Sequence, residues 1–133
     1  MTKIEAYRQA LAQTADWDAY LRRESGLPGP RGNLELAEAA ADLGEPERLQ
    51  RYAALTPEQA PENTPDVFLA FCGVLGLGRL AAEGRFAALA ELRRHAADPR
   101  WRIREAVAMA LQRYGDRDME ALLREMERWA TGT

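Results

Sequence analysis

The sequence predicts an all-helical protein, and three observations carry that reading. Residues 98–115, DPRWRIREAVAMALQRYG, show helical periodicity with a punctuating residue at each end. Residues 64–82 distribute apolar side chains around the whole circumference of a helix, the pattern of a helix buried on every side. Alternating apolar and polar runs, the signature of strands, are almost absent. The expected architecture is about six helices packed as antiparallel neighbours through short loops.

The totals suit one domain over residues 1–133. A hydrophobic content of 47% with 29% charged residues can bury a core. The formal charge of −3 disfavours bulk attraction to nucleic acid. A single cysteine excludes an internal disulfide framework, and the start MTKIEAYRQA has no apolar signal run. A cytoplasmic chain without a membrane segment is expected. Of the 18 Lys and Arg residues all but Lys3 are Arg, a compositional bias that accompanies the abundant Ala and Leu.

Taking the elements in order, Thr2 and Glu5 form a capping-box pair, and Ile4, Tyr7, Leu11, Thr14, Trp17 and Leu21 share one face. The first helix is therefore expected to reach Arg23, with Asp16 and Asp18 bending or breaking it around Trp17. Residues 25–33, SGLPGPRGN, form a stiff irregular connection, and Asn33 is placed to cap a second helix that ends near Gly44. Pro46 opens a third helix with a modest apolar side at Leu49, Tyr52, Ala53 and Leu55. Thr56 and Gln59 mark one further capped turn. Thr64-Pro65 starts the most apolar helix, whose uninterrupted apolar run, broken by Arg79, is shorter than the roughly 20 residues of a membrane span. Its Gly73, Gly76 and Gly78 each cost about 1 kcal/mol relative to Ala in a helix interior. Neighbouring helices should therefore approach the backbone there. The glycine spacing follows no strand and lacks a Gly-Lys-Ser/Thr, so close packing explains it better than nucleotide binding.

In residues 98–115, Asp98 is an N-cap residue, Pro99 suits the first helical position and Gly115 suits a left-handed stop. Ile103, Ala106, Val107, Ala110, Leu111 and Tyr114 fall in one sector, with Arg102, Arg104, Glu105, Gln112 and Arg113 opposite. Trp101 and Met109 lie on the polar side. Asp116 is then expected to cap a last helix over 117–130, with Met119, Leu122, Leu123, Met126, Trp129 and Ala130 in one sector. An apolar sector sufficient for one flank marks a terminal cap, which predicts a mainly monomeric chain with a frayed tail after Ala130.

An Asp, a short turn, Ile103-Arg104, small residues at Ala106, Ala108 and Ala110, and the closing Gly115-Asp116 together resemble the second helix of a HEAT repeat. The similarity is to the short bacterial repeats of phycobilisome-lyase-like and DNA-alkylation-repair-like proteins. It implies a first helix over 86–97, with Phe86, Leu89, Ala90, Leu92 and Ala96 on its apolar side, and makes 86–115 the clearest repeat. It also implies a right-handed α-solenoid, an Asp98–Arg104 pairing along the stack, and second helices that line a concave partner surface.

The side chains for nucleophilic catalysis are few: one His, one Ser and one Cys, at His95, Ser25 and Cys72. Nothing in their local pattern joins them, Cys72 suits a small buried hydrophobe, and His95 is expected to be solvated. A structural zinc site is excluded by ligand count, the carboxylates follow helix-surface spacing, and no cofactor is expected.

Three places could bind. The first is the ridge Trp101, Arg102, Glu105, Met109 and Gln112, which the resemblance sets in the groove. The second is the basic corner Arg93, Arg94, Arg100 and Arg104, in a segment 79–128 that carries 11 basic and 9 acidic residues. The third is an anion loop at Arg31, Gly32 and Asn33, beside the N–H groups that open the following helix. A solvated ion-paired corner, a back-folded Trp101 and a rigid spacer loop are the ordinary alternatives. The expected function is a non-enzymatic interaction module with a protein partner. A DNA-binding or base-repair role, with aromatic and acidic residues beside an arginine-lined groove, is the alternative that the resemblance implies.

Overall fold

The computed structural model describes all 133 residues and contains eight α-helices and no strand. They are α1 (Lys3–Ala12), α2 (Trp17–Glu24), α3 (Leu34–Leu43), α4 (Pro46–Ala53), α5 (Pro65–Ala82), α6 (Ala87–His95), α7 (Trp101–Arg117) and α8 (Met119–Thr131). The capping box at Thr2 forms in both directions, Glu5 N–H donating to Thr2 Oγ1 at 3.1 Å and Thr2 N–H to Glu5 Oε2 at 3.4 Å. Asn33 Oδ1 accepts from Leu36 N at 3.2 Å, and Pro46 and Pro65 open α4 and α5. Thr56 and Gln59 cap one turn reciprocally, at 3.0 and 3.2 Å.

The helix count exceeds the expected six, partly because the first helix divides. It stops at Ala12, and Asp16 accepts from Ala19 N at 3.1 Å to begin α2. The break lets the Trp17 indole turn inward and donate to Leu11 O at 3.2 Å. A continuous helix would hold that N–H away from the carbonyl.

Contacts follow chain order along alternate helices: α1 packs on α3, α3 on α5, and α5 on α7. The shorter α2, α4 and α6 also lie against α5, which is therefore the centre of the fold, and α8 rests on α7. All of α5 except Pro65, Asp66, Arg79 and Ala82 is buried. Contrary to the sequence expectation, α5 is long and apolar enough to cross a membrane by length and composition, but here the chain's own helices cover it. The glycines permit that density. A Cβ on Gly73 would stand 2.5 Å from Leu49 O in α4, and one on Gly76 would meet the Leu49 side chain at 2.7 Å.

Arginines join the ends of the alternate helices. Arg79 of α5 donates to Ala41 O, Asp42 O and Gly44 O at 2.7, 2.6 and 2.8 Å, satisfying carbonyls that the end of α3 leaves free. The Asp42 carboxylate accepts from Arg8 Nε of α1 at 3.0 Å and from Arg113 of α7. Four helices are thus tied at one edge by groups that no local pattern pairs.

Three expectations at the C-terminal half are corrected. Gly115 does not stop α7; it is buried inside the helix, where a Cβ would sit 2.5 Å from Leu122 Cδ2 of α8. The glycine serves close approach of two helices. Asp118, not Asp116, caps α8, accepting from Ala121 N at 3.0 Å. Helix α8 closes at Gly132, φ 76°, where Thr133 N–H donates to Arg128 O at 2.9 Å. Phe86 lies before α6 and is exposed, not on an inward side.

Candidate functional site

Asp98 stands two residues before the residue that caps α7, so its carboxylate accepts from Arg100 N at 2.8 Å and also binds the Arg100 guanidinium at 2.9 and 2.8 Å. Burial pushes the Asp98 carboxyl up, but the hydrogen bonds and charge of Arg100 outweigh it and hold the group below its ordinary value. The other side of the guanidinium donates to Ala60 O and Leu55 O, each at 3.0 Å, and Arg100 is only 4% exposed. Arg100 therefore leaves the basic corner and becomes an anchor for the turn between α4 and α5. Arg104 donates to Asp98 O and Pro99 O at 2.8 and 3.1 Å. The Asp98 carboxylate pairs with Arg100, and the pairing with Arg104 implied by the repeat pattern is replaced by a bond to the main chain. Arg93 is half-buried beside Phe86 and Arg128 in a groove of about 410 Å³ between α6 and α8, and Arg94 is exposed.

Arg102 is the second correction. Its position in the helix is polar, yet the residue is 6% exposed, because the loop 25–33 folds over it. Its Nη2 donates to Gly29 O at 2.9 Å and Asn63 Oδ1 at 3.2 Å, and its Nε lies 3.9 Å from the Glu62 carboxylate. Asn63 holds the junction from a left-handed backbone at φ 63°, which asparagine tolerates, and its Oδ1 also accepts from Gly29 N at 3.1 Å. Glu62 Oε1 accepts from Trp101 N at 2.7 Å, so a carboxylate satisfies the first turn of α7 and faces its positive end.

Trp101 covers this buried guanidinium. The Arg102 Cζ lies 4.5 Å from the centroid of the indole, and Trp101 remains 46% exposed. The tryptophan is neither folded into the core nor free; it is a stacked plate on the surface. Glu105 and Met109 are half-buried and Gln112 is exposed. Next to the plate, Leu27, Gly32, Leu34, Phe68 and Phe71 line a crevice with Arg102 and Glu105. Its free space is about 10 Å³, the room of one water, too little to enclose a small molecule.

The structure thus brings the ridge and the loop together at Gly32 and Arg102, which the sequence separates by seventy residues. Asn33 is fully engaged: besides capping α3 it donates to Tyr7 Oη at 3.1 Å and Glu24 O at 2.9 Å. Arg31 opens on a separate wide cleft of about 660 Å³. Gly32 and Asn33 line the same cleft, in which Lys3 and Arg31 face Glu24 and Glu35. Glu62, Asn63 and Leu27 were not legible as site residues, since each acquires its role from Arg102 across the fold.

The nucleophile inventory is dispersed among structural roles. Ser25 is buried, donating to Arg22 O at 2.8 Å and accepting from Leu27 N at 3.1 Å. Burial of Cys72 within α5 pushes its thiol well above the ordinary range. His95, the last residue of α6, is half-buried and not solvated as expected; burial pushes its imidazole below the ordinary value of 6.5, against the pull of Asp98. No group of three His, Cys, Asp or Glu side chains converges in a way that could hold a metal ion. No protein-family model, curated protein or solved structure matches the chain.

Proposed function

We propose that this chain is a non-enzymatic protein-interaction module with a HEAT-like, right-handed array of helices, and that the Trp101 plate is the centre of its partner surface. The observation that carries the reading is an exposed indole stacked on a buried guanidinium. A large aromatic side chain with little freedom to lose on binding is the type of residue that dominates protein interfaces. The succession α1, α3, α5, α7, each packed on the next, is what supports an array.

The DNA-binding alternative is less supported. Arg100 and Arg102 turn inward, Arg104 binds main-chain carbonyls, and Glu62 and Glu105 stand beside the plate. Of the four arginines that the sequence concentrates there, two are thus engaged within the fold and Arg93 and Arg94 are left. A photo-crosslinking residue in place of Gln112, exposed on the same ridge, would capture the partner in the source cells with Trp101 intact. Trp101→Ala should then weaken the captured complex by about 2 kcal/mol or more with the thermal midpoint nearly unchanged. Unaltered affinity would refute the plate as the centre. Binding of duplex DNA with a steep salt dependence would favour the alternative.

A further inference from the structure

The last helix leaves half of its apolar sector uncovered. Ala121, Leu122 and Trp129 pack toward the core, Leu122 against Gly115, and Trp129 Nε1 donates to Glu125 at 2.8 Å. Met119 and Leu123 are 54% and 61% exposed, and Met126 and Ala130 continue the same line. Counting along the chain, these four are spaced four, three and four residues apart, which is the seam of a heptad repeat and the width of one partner helix. The seam is about 17 Å long at the helical rise. No residue of α8 is fully buried, so the sector exceeds what a simple terminal cap needs.

We propose that this seam docks one amphipathic helix of a partner protein that carries basic residues along its flank. The rims of the seam select that occupant. Its outer rim is Glu120 and Glu127, one heptad apart, and both are exposed. Its inner rim is Leu122 and Trp129, held against the body of the protein. A second copy laid antiparallel would set Glu120 and Glu127 against their own equivalents, like charge on like. A parallel copy would need the inner rim that the body already covers. An anionic membrane surface would meet the same two carboxylates first. A helix with Lys or Arg beside its apolar stripe fills the seam and pairs the outer rim at once.

The test uses the full chain and two labelled synthetic peptides of three heptads, both with Leu at the core positions, one flanked by Lys and the other by Glu, read by fluorescence anisotropy. The Lys-flanked peptide should bind and the Glu-flanked peptide should bind more weakly. Leu123→Ala should weaken the Lys-flanked complex about tenfold or more, with an unchanged urea midpoint because the side chain contributes little to the fold. The double variant Glu120→Lys/Glu127→Lys should lose about tenfold for the Lys-flanked peptide and gain for the Glu-flanked one. Trp101→Ala should change neither, which separates this surface from the proposed plate. Absence of binding, equal affinity for both peptides, or indifference to Leu123→Ala overturns the proposal. So does a dimer in sedimentation, or binding to anionic vesicles, that Leu123→Ala abolishes.

Discussion

Gly78 of α5 lies directly against the backbone of Ala110 in α7, and a Cβ there would stand 2.5 Å from the Ala110 carbonyl oxygen. The obstacle is main chain on an adjacent buried helix, so it yields only if the two helices separate. Gly78→Ala should therefore destabilise by about 2 kcal/mol despite the helix-propensity gain of alanine, and Gly73→Ala, facing the α4 backbone, should do the same. The atoms nearest a Cβ on Gly76 belong to the Leu49 side chain, which can give way. Gly76→Ala should cost less than either, and the bulkier Gly76→Leu about 1–3 kcal/mol or more. Urea midpoints of the four variants would show the order.

Trp101 and Arg102 should separate binding from stability. Trp101→Ala removes a half-exposed plate and one stacking contact, a loss of about 1 kcal/mol or less. Arg102→Ala opens the partners of a buried guanidinium, Gly29 O, Asn63 Oδ1 and the Glu62 carboxylate, and should cost about 3 kcal/mol. Thermal unfolding of both variants checks this. A larger loss for Trp101→Ala would move the tryptophan into the core.

Asp18 should give the fold part of its acid sensitivity. Its carboxylate accepts from Arg51 Nη1 and Nη2 at 3.0 and 3.1 Å and from Tyr52 Oη at 2.6 Å. The Arg51 hydrogen bonds, opposed by burial and aided by Tyr52, hold it below the ordinary 3.8. A depressed carboxyl contributes stability that is fully present above the unfolded value and is lost as the pH falls through the folded one. Wild-type stability from this site should thus be retained above about pH 5 and fall progressively below the ordinary value. Asp18→Asn should be less stable at neutral pH with a shallower acid decline, measured as urea midpoint against pH.

Cys72 should be inert until the protein opens. It is completely buried in α5, and burial favours the neutral thiol over the nucleophilic thiolate. Labelling by a thiol-disulfide reagent should be negligible in buffer, complete in denaturant, and limited between the two by opening of the fold. Rapid labelling of the native chain would contradict the packing of α5.

The helical class, the buried character of α5 and the starts at Thr2, Asn33, Pro46 and Pro65 were legible in the sequence, because caps and periodicity act over one or two turns. The sector of α7 that meets α5 was legible for the same reason. What lay outside that range was decided by the tertiary structure. Gly115 has the chemistry of a stop and of a close contact, and only the arrival of Leu122 decides for the contact. Arg100 and Arg102 carry the polarity of a surface, but groups from distant loops surround them: every guanidinium nitrogen of Arg100 is bonded, and Arg102 is held through its Nη2 while its buried Nε only nears the Glu62 carboxylate at 3.9 Å. The candidate partner surface follows from that burial. Trp101 stands as a plate because Arg102 is fixed beneath it, and the residues that fix Arg102 lie far away along the chain, beyond the reach of any local pattern.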